Sequence, residues 1–150
     1  MEWAALITWI ITAGGGFLML AIWLRNGGME QADHSGRLIK PPLILGHFAL
    51  AATGLVLWIV YLIVDSDVLA WIAFALLLVV ALLGFTMFAI WLQQRQGAAA
   101  TAPVAAEGGQ VGGAVRPAER RFPVPVVGAH GVLAATTLVL VFLTAIGVGT

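Results

Sequence analysis

Residues 41–64 read PPLILGHFALAATGLVLWIVYLIV, and residues 124–148 read VPVVGAHGVLAATTLVLVFLTAIGV. Neither stretch holds a Lys, Arg, Asp or Glu. Each exceeds the roughly 20 apolar residues that cross a hydrocarbon core about 30 Å thick. In lipid the backbone has to satisfy its own hydrogen bonds, so such stretches are helices. Two further charge-free runs, Trp3–Leu24 and Val68–Leu92, meet the same test. The first of these reads as a span and not as a signal peptide, because Met1-Glu2-Trp3 is acidic and the apolar run continues through its Gly-rich centre. The expected fold is all-α: a single transmembrane domain over residues 1–150, built as a four-helix bundle.

Composition agrees. Of 150 residues, 61% are hydrophobic and 9% are charged, whereas soluble domains carry about a quarter charged residues. The formal net charge is zero, which gives no reason to expect a nucleic-acid partner. The absence of cysteine excludes thiolate metal sites, iron–sulfur clusters and cysteine catalysis. The partner that composition demands is the lipid bilayer.

All seven basic residues fall in two segments. Arg25, Arg37 and Lys40 lie between spans 1 and 2, and Arg95, Arg116, Arg120 and Arg121 lie between spans 3 and 4. Glu2, Asp65 and Asp67 mark the opposite side. The positive-inside rule then puts both long loops in the cytoplasm and both termini outside. The Ala-, Gly- and Pro-rich segment from about 93 to 121 reads as a flexible linker.

The two quoted stretches are also alike. A shift of 83 lays Pro42 on Pro125, His47 on His130, and Leu50-Ala51-Ala52-Thr53 on Leu133-Ala134-Ala135-Thr136. A shift of 68 lays Gly16-Phe17 on Gly84-Phe85, Met19 on Met87, and Ala21-Ile22-Trp23-Leu24 on Ala89-Ile90-Trp91-Leu92. Apolar helices match by chance through Leu, Val and Ala, but not in register through Met, Trp, His and Pro. The reading is two tandem two-helix repeats, about 1–67 and 68–150, related by an axis along the membrane normal.

His47 and His130 are the only histidines within the four spans, each five residues past a proline. That places both roughly 8 Å inside the cytoplasmic boundary. Ionisable groups at membrane depth are costly and mark function by default. Two imidazoles at one depth on facing helices are what a single b-type haem needs as axial ligands. The small residues Ala51 and Gly54 after His47, and Ala134 and Thr137 after His130, suit the close approach of a flat ring. Arg37 and Arg120, matched by the repeat, together with Lys40 and Arg121, are candidates to pair with propionates. Met19 and Met87 are candidates to pack on the haem edge. Other readings stay open: the histidines as structural ties, or His47, His130, Met19 and Met87 as a soft metal site.

With these residues in view, the chain resembles the small four-helix membrane b-type cytochromes, such as cytochrome b561-like proteins and the anchors of succinate dehydrogenase. The resemblance covers the architecture and the placement of His47 and His130. It implies one haem b per chain, electron exchange with a membrane redox partner or a quinone, and room for a homo-oligomer. Those cytochromes typically hold two histidine pairs, whereas this chain has one. The chain is also similar to small membrane proteins of high-GC bacteria, which implies a multi-pass location in the bacterial cytoplasmic membrane. An accessory subunit of a larger membrane complex and a transporter of metal or small solute are the rival expectations.

Overall fold

The computed structural model describes residues 1–30, 39–105 and 117–148, with side chains from 98 to 105 left aside. Among the described residues four α-helices make the fold: α1 (Glu2–Arg25), α2 (Pro41–Val64), α3 (Asp67–Ala105) and α4 (Val124–Ala145). A 3-10 turn, Ala118–Arg121, precedes α4. All four helices are long and apolar enough to cross a membrane, which makes this a multi-pass membrane protein by its helices.

Local chemistry sets the helix ends. Pro41 and Pro42 open α2, and Pro125 lies in the first turn of α4. Proline is tolerated there because its missing N–H has no intrahelical role. α1 closes on Gly27 at φ 72°, with Gly28 N–H donating to the Trp23 carbonyl and Gly27 N–H to Leu24. α4 closes in the same way on Gly147 at φ 79°, with Val148 N–H donating to Leu143. This paired left-handed ending satisfies carbonyls that the helix itself leaves open. α2 ends on Asp65, left-handed at φ 51°, and Ser66 then accepts the N–H groups of Leu69 and Ala70 at the start of α3. The connection from α2 to α3, through Asp65 and Ser66, is therefore tight.

The linker reading needs correction over its first part. α3 continues without a break to Ala105. Gln93, Gln94, Arg95 and the alanines that follow are good helix formers, and a helix already nucleated in the membrane extends through them at little cost.

α1 packs along α4, and α2 along α3, more extensively than α1 along α2 or α3 along α4. The order around the bundle is α1, α4, α3, α2, so α2 and α4 face each other across a diagonal. The principal core lies in the half of the bundle where α1 and α3 begin. Ala5, Trp9, Trp58, Tyr61, Ala70, Ala73, Leu77, Val80 and Val141 form it. Trp58 is fully buried, with Trp9 and Tyr61 against it at centroid separations of 6.5 and 4.7 Å. Its indole N–H donates to the Glu2 carbonyl, and the Tyr61 hydroxyl donates to the Glu2 carboxylate. Gly54 makes space for the Trp9 ring: a Cβ there would stand 3.0 Å from it.

Replacing Trp58 with Ala empties the centre of this core. Because lipid and not water is the reference solvent, the transfer contribution largely drops out and the cavity contribution remains. The expected loss is about 2 kcal/mol, read from equilibrium unfolding in mixed micelles; unchanged stability would contradict the packing described.

Candidate functional site

His47 enters the bundle from α2 and His130 from α4, each two turns inside its helix. Their ring centroids are 6.3 Å apart and the planes are inclined at 54°. The two histidines singled out in the sequence therefore face each other across the diagonal.

Each ring is held by a backbone carbonyl of the helix packed beside it. His47 Nδ1–H donates to Val80 O on α3 at 3.0 Å, and His130 Nδ1–H donates to Thr12 O on α1 at 2.9 Å. A carbonyl only accepts, so the proton sits on Nδ1 in both rings. The other nitrogen, Nε2, then keeps its lone pair and can act as a metal ligand.

Glycine makes those bonds reachable. Four residues beyond each accepting carbonyl stands Gly84 or Gly16. A Cβ on Gly84 would lie 3.3 Å from His47 Cε1 and 3.8 Å from its Nδ1. On Gly16 it would lie at the same 3.3 and 3.8 Å from the corresponding atoms of His130. Gly15 adds a second close approach to His130, at 3.6 Å from Nδ1. Sequence reading paired Gly16 with Gly84 but gave them no contact to the histidines, and it missed the carbonyls of Thr12 and Val80. The one sequence signal was the match of Gly16 with Gly84 under the repeat shift.

The other candidate residues divide. Met19 and Met87 are half-buried, three residues beyond Gly16 and Gly84. Ala51 is half-buried against the core, and Ala134 is half-buried on α4. Gly54 meets the Trp9 ring, and Thr137, 1% exposed, bonds Thr8 Oγ1 at 3.0 Å and its own helix at Leu133 O. These two serve contacts with α1. Lys40, Arg120 and Arg121 are exposed at the end where α2 and α4 begin; Arg37 lies outside the described residues.

That end of the bundle carries a feature that sequence reading did not find. Glu119, in the 3-10 turn, is 1% exposed. Its Oε1 accepts the Ile39 N–H at 3.1 Å and the Gln94 Nε2–H at 2.7 Å. The carboxylate ties the segment before α2, the extension of α3 and the segment before α4 together. A Glu beside two arginines reads in sequence as a solvated charge, so nothing marked it.

The spacing of the two rings agrees with what one haem iron asks of two axial imidazoles. Metal–nitrogen bonds of about 2.0 Å on both sides, with roughly 1.1 Å from each nitrogen to its ring centre, ask for imidazole centroids about 6 Å apart. The observed separation is 6.3 Å. Among the described residues no group of three or more His, Cys, Asp or Glu could hold a metal ion. Two imidazoles alone suit a metal that brings its remaining ligands with it. No family model matches this chain, and comparison with curated proteins and with solved structures gives no match.

Gly84→Leu would push the His47 imidazole off the Val80 carbonyl. The expected result is loss of the slowly exchanging His47 Nδ1–H signal in proton NMR of the imidazole-labelled protein, with the His130 signal kept. A His47 signal unchanged by the substitution would contradict the glycine account.

Proposed function

We propose that this chain is a membrane haem b protein, with His47 and His130 as the axial ligands of one haem near the cytoplasmic face. The single observation that carries the reading is the facing pair of imidazoles, 6.3 Å apart, with both protons committed to carbonyls. The committed Nδ1–H fixes each ring's tautomer and orientation and raises the basicity of Nε2, as outer-shell partners of metal-bound histidine do. Gly16 on α1 and Gly84 on α3 leave room for the two imidazoles to lie against those helices. A bound haem supplies one-electron redox chemistry, and this chain's residues orient it and keep water away. The role we assign is electron exchange with a membrane partner or a quinone.

The same contacts support a duplicated origin. His47 with Val80 and Gly84 corresponds, residue for residue under the repeat shifts, to His130 with Thr12 and Gly16. We assign two tandem hairpins, with the termini outside and the basic ends in the cytoplasm of a bacterial cell. A second reading follows from the bonds to Thr12 and Val80: they satisfy one donor on each imidazole without any cofactor, as a helix tie in an accessory subunit would require.

Purified from haem-replete cells, the protein is expected to show split b-type absorption bands in the reduced state. Either His47→Ala or His130→Ala should abolish them. A colourless wild-type protein would sink the haem reading and leave the helix tie.

Sidedness has its own check, and the absence of native cysteine makes it clean. A single cysteine at Ser66 should react with an impermeant maleimide added outside intact cells, and one at Asn26 only after lysis. The reverse pattern would overturn the orientation.

A further inference from the structure

Among the described residues, the Trp91 indole N–H is buried with no hydrogen-bond partner. Trp91 is 5% exposed. A buried donor left unmatched is costly and calls for an explanation, often a ligand or ion that belongs there. The buried indole of Trp58, by contrast, has the Glu2 carbonyl.

The location of Trp91 is informative. It follows Gly84, the glycine against His47, by seven residues on α3. Seven residues rise about 10.5 Å and return to within about 20° of the same helix face. Trp91 therefore stands on the face that meets His47, two turns nearer the end where α2 and α4 begin. That offset is close to the reach of a porphyrin's propionate arm from its iron.

Its surroundings hold charge of both signs, Arg95 on the ring face and the Glu119 carboxylate on Gln94, about one turn further along α3. The Arg95 guanidinium lies 5.0 Å from the centre of the Trp91 ring, and the Phe88 ring packs at 5.8 Å. The indole is held in place and carries a cation on its face. Trp23, the counterpart of Trp91 under the repeat, is differently placed. Gly28 lies directly on the Trp23 indole, so closely that no Cβ could be added there. The chain itself covers that ring, whereas Trp91 retains an unused donor.

We propose that the Trp91 indole N–H donates to a carboxylate of the ligand held between His47 and His130, which for a haem is one of its propionates. This rests on the haem reading above. It moves the propionate contact from the exposed Lys40, Arg120 and Arg121 to a buried neutral donor inside the bundle, with Arg95 supplying the positive field.

The test is titration of the detergent-solubilised apoprotein with hemin, together with thermal unfolding of the apoprotein. Three proteins are compared: wild type, Trp91→Phe, and a protein carrying benzothienylalanine in place of Trp91. The last keeps the shape of the ring and lacks only the N–H, so it guards against a folding defect in the phenylalanine variant. Loss of a hydrogen bond to a charged acceptor should weaken hemin binding about tenfold or more. Removing an unmatched donor should leave the apoprotein with the isostere at least as heat-stable as wild type. Affinity down with apo stability kept or raised is a pattern that a packing role does not produce. Hemin affinity of the isostere equal to wild type overturns this inference and leaves the haem reading standing. Failure of the wild-type protein to take up hemin overturns both.

Discussion

An imidazole carried into lipid has to place its N–H somewhere, and the hydrocarbon offers no acceptor. In this bundle both histidines use a backbone carbonyl of the neighbouring helix, Val80 for His47 and Thr12 for His130. Each of those carbonyls already belongs to a helix ladder, so each accepts a second bond through its remaining lone pair. This requirement explains much of the central architecture. It accords with α2 packing along α3 and α4 along α1, and it favours glycine at positions 84 and 16, where a Cβ would stand 3.3 Å from the ring.

The two halves of the membrane domain are built differently. Towards the chain termini the bundle is filled by Trp9, Trp58 and Tyr61 and tied by Glu2. Towards the other end lie the glycines and histidines, and beyond them the buried Trp23, Trp91, Ile39, Ala118 and Glu119. The tightly packed aromatic core around Trp58 can hold helix positions firmly enough to keep two imidazoles at a fixed separation in the other half. That is the support a preformed metal site requires, since its ligands must be set by packing and not by the metal alone.

Much of this was legible in the amino-acid sequence, because in lipid the constraints are few and strict. Four charge-free runs give four helices, Pro42 and Pro125 mark where two of them start, and the matched positions of His47 and His130 bring the pair together. What escaped the reading depended on three-dimensional neighbours. Backbone carbonyls have no sequence signature, so Thr12 and Val80 could not be chosen. Gly54 and Thr137 look like room beside a histidine, yet a helical step turns them to the Trp9 ring and to Thr8. The segment after Leu92 looks like a linker by its alanines and glycines, but those alanines extend α3 once the membrane span has nucleated it. Glu119 is buried only because three segments distant in the chain converge on it.

The central claim is that both Nε2 atoms bind one metal centre. Low-temperature electron paramagnetic resonance of the ferric protein tests it most directly. Two imidazoles on one haem iron impose a strong ligand field, so a low-spin signal is expected from the wild-type protein. Conversion to a high-spin signal, or loss of the haem, is expected when either His47 or His130 is replaced. A high-spin signal from the wild-type protein, or a low-spin signal that survives both replacements, would contradict the claim.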